Sequence, residues 1–224
     1  MTNAKFPAVE GAPAICPAHA GKDHPKIRPA KVGVLIANLG TPDSTDYWPM
    51  RRYLNEFLSD KRVVDLPDWK WQPILQGIIL TVRPSQSGAN YKSIWNHDLN
   101  ESPLLTITKQ QTAAIKDSLT AVYGDEIMVD FCMRYGNPST KSKVDAMVKA
   151  GCTKILFFPL YPQYAGATTA TANDQFFRAL MDVKWQPASR TVPPYSDHPE
   201  YIEALAQSVE RAYAAEKDRP EILV

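Results

Sequence analysis

Short apolar runs alternate with stretches of helical periodicity along this chain. Val32-Gly-Val-Leu-Ile-Ala-Asn38 is a continuous apolar run, suited to a strand buried on both faces, and it ends in the turn Leu39-Gly-Thr-Pro42. From about Tyr47 to Leu58 the positions Tyr47, Met50, Leu54, Phe57 and Leu58 fall on one helical face. Val63-Val64 with Leu66 reads as a short extended piece closed by Pro67. Trp69 to Val82 is unusually apolar, with Trp69, Trp71, Ile74, Leu75, Ile78, Ile79 and Leu80. It is either a core helix or a greasy lip at a pocket or membrane surface. Arg83-Pro84 closes it, and the Ser, Gly and Asn of 85–90 read as a loop.

Ser102-Pro103 is a helix start, with the helix running from about Leu104 to Tyr123 and Gly124 as its stop. Ile127 to Met133 reads as a strand that empties into Arg134-Tyr-Gly-Asn-Pro138. Ser139 or Thr140 caps a helix carrying Val144, Met147 and Val148, which stops at Gly151. Ile155 to Phe158, bounded by Lys154 and Pro159, has strand length. It leads into Tyr161-Pro-Gln-Tyr164, then small residues and threonines, then a helix to about Val183 with Phe176, Phe177, Leu180 and Met181 on one face. Arg190 to Val192 is a short strand, and Asp197 caps a last helix from about Pro199 to Glu216. Glu221-Ile-Leu-Val224 has the pattern of the first half of a buried strand. The strand–helix–strand unit around residue 140 predicts parallel strands joined by a right-handed crossover, hence an α/β class with a parallel sheet.

Composition narrows the picture. A hydrophobic content of 44%, a charged content of 22% and a net charge of +1 describe an ordinary globular chain and give no reason to expect nucleic acid as a partner. Cys16, Cys132 and Cys152 are widely spaced and odd in number, so buried thiols in a reducing compartment are expected rather than a disulfide frame. Residues 1–30 are rich in Pro, Ala, Lys and His, without periodicity and without the apolar core of a secretory signal, and read as a disordered leader. Cys16, His19 and His24 lie in it, but structural metal sites offer four ligands at tighter spacing. A cytoplasmic location is the expectation. The G-x-G-x-x-G, G-x-S-x-G, P-loop and H-E-x-x-H motifs are all missing, and His97 and His198 stand alone.

If the three strands are parallel, their terminal loops share one edge of the sheet, where open α/β sheets bind ligands. That edge pools Arg134, three tyrosines, Asn38, Gln163 and nearby threonines. Tyrosine faces pack on planar rings and arginine forks a carboxylate, so the set suits a flat, apolar ligand bearing carboxylates. The alternative makes the tyrosines ordinary strand-end packing and Arg134 a structural ion pair. Both readings stand open at this point.

Five motifs in order carry a resemblance: Val34-Leu-Ile-Ala-Asn-Leu-Gly-Thr-Pro42, Phe57-Leu-Ser-Asp60 with Arg62-Val-Val-Asp65, Ser102-Pro103, Met133-Arg-Tyr-Gly136, and Pro159-Leu-Tyr-Pro-Gln-Tyr164 with Thr168-Thr169. From about residue 31 to the end the chain resembles the bacterial ferrochelatase family. The resemblance implies two similar α/β domains, each a parallel sheet with helices on both faces, around a porphyrin cleft. It implies a lyase that inserts Fe(II), as substrate, into protoporphyrin IX. The motifs lean towards that porphyrin over coproporphyrin.

Residues 31–193 then form the first domain and 194–224 the beginning of the second. Leu39, Arg83, Tyr91, Ser102, Arg134, Tyr135 and Tyr161 match porphyrin-binding positions, His198 matches a histidine proposed as functional, and no residue is assigned as a metal ligand. The 69–82 segment matches the pocket lip, which favours lip over core and brings in peripheral membrane contact. Gly166 stands where some relatives place a cluster cysteine, so no iron–sulfur cluster is expected from this chain. The family's metal-handling histidine and glutamate belong to a stretch after the final Ile-Leu-Val, so this chain is expected to insert metal poorly or not at all alone. A non-catalytic porphyrin-binding module of the same fold is the alternative. Oligomeric state is not fixed, although half a cleft would leave apolar surface to self-associate.

Overall fold

The structure, a computed structural model, describes residues 30–216. The leader through residue 29, with Cys16, His19 and His24, and the strand expected at 221–224 lie outside the described residues. Four strands, β1 (Lys31–Thr41), β2 (Ile127–Gly136), β3 (Cys152–Pro159) and β4 (Ala188–Thr191), form one sheet in the order β2-β1-β3-β4. Every pairing is parallel. The strand–helix–strand unit is therefore as expected, with α5 (Thr140–Lys149) as the crossover between β2 and β3.

The period of two along β1 divides the core. Leu35 and Ala37 face α5 and α6 (Thr171–Asp182), in a cluster with Cys132, Val144, Met147, Ile155, Phe157 and Phe176. Val34 and Ile36 face the opposite way, where Ile115 and Leu119 of α4 (Pro103–Tyr123) pack with Val129. Helices thus cover both faces of the sheet. Phe157 and Phe176 stack at 4.4 Å between centroids. On α6 the buried positions are Thr171, Ala172, Phe176 and Ala179, with Leu180 packed against the same cluster, while Phe177 and Met181 are exposed. The inward stripe thus runs one step from the one expected. The π-helical turn Gly166–Ala170 that precedes α6 sets its phase.

A third cluster sits at the carboxyl end of the sheet. Met50, Tyr53, Leu54 and Leu58 of α1 (Tyr47–Leu58) pack with Leu75, Leu80 and Tyr135. Leu75 and Leu80 are both fully buried although five residues apart. In an α-helix, five residues turn the chain to about 140° off the starting face. The π-helical turn Leu75–Ile79, between α2 (Asp68–Ile74) and α3 (Leu80–Ile94), brings both leucines inward. Trp69, Ile78 and Val82 remain 75%, 64% and 65% exposed. The apolar segment is therefore two-sided, one edge in the core and one face outside.

Three expectations are corrected. Residues 85–90 are helix, not loop, because α3 runs through Pro84 and Gly88. Pro84 lacks the N–H that would reach the Leu80 carbonyl, and the Tyr47 hydroxyl donates to that oxygen instead, at 3.0 Å. Gly88 is there for close approach: a Cβ would lie 2.3 Å from the Thr45 carbonyl oxygen. Residues 63–66 are not extended. The N–H groups of Val63 and Val64 both donate to the Asp60 carbonyl at 2.9 Å, which curls the chain into a turn. The last helix, α7 (Pro199–Ala215), is preceded by His198 at the cap position, not Asp197, and has no side-chain cap.

Candidate functional site

β1, β2 and β3 end on one edge. The strand order reverses on either side of β1, so Leu39 of β1 and Tyr161 just beyond β3 flank the switch point of the sheet. Leu39 and Tyr91 pack against the cluster that holds Tyr135. The Tyr53 and Tyr91 rings meet edge to face at 6.3 Å, and Phe57 meets Tyr135 at 5.1 Å. Tyr53 donates to the Gly40 carbonyl at 3.3 Å. The result is an aromatic layer directly under the end of β1.

Arg134 and Tyr135 are brought together: the guanidinium carbon stands 4.2 Å from the Tyr135 ring centre. The Arg134 side chain is 7% exposed and that of Asp60 9%. Arg134 Nη2 donates to Asp60 Oδ2, Nε donates to Thr171 Oγ1 at 2.6 Å, and Nη1 lies 3.8 Å from Glu56 Oε1. Tyr135 Oη donates to the same Asp60 oxygen at 2.8 Å. Burial works to raise the Asp60 carboxyl. Hydrogen bonds from Thr171, the Arg62 N–H and Tyr135, with the Arg134 charge, outweigh it and hold the group below the usual carboxylate range. Glu56 goes the other way. Burial raises it against the Gly136 N–H and Arg134. In this structure Arg134 therefore forms an internal ion pair, the second of the two roles left open for it.

The phenols are poor proton acceptors. Burial pushes Tyr135 up to about 12 and raises Tyr53 and Tyr161 as well. Tyr161 Oη is buried without a hydrogen-bond partner, and Cys132, Tyr135 and Arg134 are the charged or ionisable neighbours that act on it. Such a hydroxyl is available to a ligand or a water.

The other expected positions are more dispersed. Ser102 is buried at the cap of α4, accepting from Leu105 N at 3.2 Å, and lines a cavity of about 510 Å³ with Thr41, Glu101 and Lys109. Ser102→Ala is expected to lower stability by about 1 kcal/mol, the cost of a lost cap, read as a shifted urea midpoint. Arg83 is exposed on α3. His198 is exposed, three residues after Tyr195, whose N–H bonds Pro162 O at 3.0 Å. That contact ties it by the backbone to the Tyr161–Tyr164 loop and not to the ion pair. A cavity of about 660 Å³ runs along the α4 face of the sheet beside Val34, Ile115, Leu119, Leu156 and Phe158. Its lining is mostly apolar and includes none of the expected site residues. Asp60, Thr171, Glu56 and Tyr53 were not among the sequence candidates. Asp60 stood inside a quoted motif, but nothing local shows that it meets Arg134, 74 positions on.

Among the described residues no group of three or more His, Cys, Asp or Glu is placed to hold a metal, and no helix is long and apolar enough to cross a membrane. The edge thus sets an aromatic layer beside a buried guanidinium–carboxylate pair.

Known proteins give this geometry a context. The family model described as ferrochelatase matches residues 31–224. The ferrochelatase of Rhodobacter capsulatus is 64% identical over 207 residues, which are 92% of this chain and 59% of that protein. That of Allorhizobium ampelinum (strain ATCC BAA-846 / DSM 112012 / S4) is 56% identical over 206 residues, again 92% and 59%. That of Agrobacterium fabrum (strain C58 / ATCC 33970) is 55% identical over 206 residues, 90% and 58%. The chain thus spans about three-fifths of the length of the curated relatives it matches. With a parallel sheet of the expected connectivity, aromatic strand ends, and a match that begins at the first strand, this chain belongs to the ferrochelatase family.

Proposed function

We propose that the protein takes part in the insertion of ferrous iron into protoporphyrin IX, and that residues 31–193 supply one wall of the tetrapyrrole site, with 194–224 opening a second domain. The observation that carries the reading is the convergence of Leu39, Tyr91, Tyr135 and Tyr161 on one strand-end edge of a chain in this family. Leu39, Tyr91 and Tyr161 pack on the macrocycle over the fully buried Tyr135, and Ser102 and Arg83 meet its polar periphery. The exposed face of 69–82 rests against the rest of the protein or a membrane surface, in a cytoplasmic enzyme.

Metal insertion needs a bent ring and an acceptor for two pyrrole protons. A wall that fits the bent form better than the flat one lowers the barrier. This wall offers shape and not a base. Its phenols stay protonated at neutral pH, and the Asp60 carboxylate is already filled with donors. The proton acceptor is therefore neither one of these phenols nor Asp60.

The test sets this chain beside the full-length Rhodobacter capsulatus relative in a ferrous chelatase assay and a porphyrin fluorescence titration. The chain is expected to bind protoporphyrin while turning over at least about a hundredfold more slowly, the usual contribution of general acid–base groups. Equal turnover would show that the wall needs no outside base. Absence of porphyrin binding would remove the site reading itself.

A further inference from the structure

We infer that Asp60 is the positioning residue of this wall: its carboxylate cancels the Arg134 charge and sets Arg134 and Tyr135 as a neutral, hydrogen-bonded floor next to Leu39. The inference rests on the tetrapyrrole reading above and adds to it a role for a residue that does not itself touch the ligand.

Asp60 lies two residues past the end of α1. Its Oδ1 accepts from Arg62 N at 2.8 Å, an Asx turn that bends the chain back. Its Oδ2 accepts from Arg134 Nη2, Tyr135 Oη and Thr171 Oγ1. Three side-chain donors thus crowd Oδ2 and one backbone N–H takes Oδ1. The Thr171 hydroxyl donates to Asp60 while accepting from Arg134 Nε, so the three side chains close a ring. The side-chain donors come from β2 and from the first residue of α6. Arg62 clamps the same loop to α6 through two bonds to Asp174, at 2.6 and 3.0 Å.

The chemistry follows from this closure. A guanidinium that gives Nη2 to Asp60 and Nε to Thr171, with Glu56 3.8 Å from Nη1 and only 7% of the arginine side chain exposed, offers little to a ligand carboxylate. It also presents little net charge to a divalent cation, which a free guanidinium would repel. Tyr135, donating to Asp60, has its ring held between the Arg134 guanidinium and the edge of Phe57. The floor is thus fixed in shape and near neutral in charge before any ligand arrives.

The test compares protoporphyrin IX, which carries two carboxylates, with its dimethyl ester, which carries none. Affinities for the wild-type chain, D60N and D60N/R134Q are read by fluorescence titration, with folding checked by circular dichroism. In folded D60N the Arg134 charge loses its close partner and keeps only the half-exposed Glu56, 3.8 Å from Nη1. The preference for diacid over diester is expected to rise on the order of tenfold, the size of one charge acting across about 12 Å at an effective dielectric near 20. D60N/R134Q has no buried charge and is expected to keep the wild-type preference, so it carries the test even where D60N does not fold. A fall in preference in the double variant would mean that Arg134 grips the carboxylate, and would overturn the inference. An unchanged preference in folded D60N would overturn it too. Either result leaves the tetrapyrrole reading intact, whereas a wild-type chain that binds neither porphyrin removes both.

Discussion

Gly40→Ala is expected to leave the chain unable to fold, with a loss greater than about 4 kcal/mol from a total stability typically near 5–15 kcal/mol. Gly40 has φ +112°, a conformation that L side chains rarely adopt, and a Cβ there would stand 1.9 Å from the Tyr135 carbonyl oxygen and 2.8 Å from its carbon. Both atoms are backbone, and Gly40 pairs with Tyr135 in the β1–β2 register, so neither can retreat without opening the ladder. The same residue's carbonyl accepts the Tyr53 hydroxyl, which ties the aromatic layer to the strand end. The readouts are soluble yield and a urea melt followed by circular dichroism. Gly77→Ala is the matched control. Beyond its chain neighbours and its own helix backbone, no atom of the described residues lies within 4 Å of its Cβ position, and it sits inside a helical segment, so a gain of up to about 1 kcal/mol is expected. A cooperative Gly40→Ala melt near that of the wild type would show that the strand ends are looser than their geometry.

The backbone of the fold was legible in the sequence because its signals are local. Apolar runs at 32–38, 127–133 and 155–158, with Gly124 and Gly151 as stops and Ser102 and Ser139 as caps, fix strands and helices one at a time. The errors fall where a tertiary partner overrides a local rule. Pro84 broke no helix because Tyr47 satisfies the stranded carbonyl, and Gly88 marked a crossing of backbones rather than a turn. The π-helical turns rotate helix faces by amounts that no α-period shows. The site divides the same way. Arg134, Tyr135 and Tyr161 could be placed together because parallel strands end on one edge. The partner of Arg134 could not, since Asp60 and Thr171 reach it from 74 and 37 positions away.

Asp60→Ala is expected to cost about 3–5 kcal/mol, because it strands a buried guanidinium rather than because the ion pair itself is strongly favourable. The double variant Asp60→Ala/Arg134→Met then loses less than Asp60→Ala alone, since the uncompensated charge goes with it. Strictly additive losses in urea would count against this account. Acid supplies an independent check. The folded Asp60 carboxyl lies below its unfolded value of about 3.9, so its stabilisation is complete above that pH and is lost as pH falls through the folded value. Glu56 has the opposite sign. Its folded carboxyl lies above the unfolded value of about 4.3, so keeping it charged costs stability at neutral pH, and mild acid relieves that cost. Relative to Glu56→Gln, the wild-type chain is therefore expected to gain stability on mild acidification. Relative to Asp60→Asn, its advantage holds from neutrality to about pH 4 and shrinks below it. An Asp60 advantage that grew towards acid would mean that the carboxylate is not the acceptor at the centre of this ring.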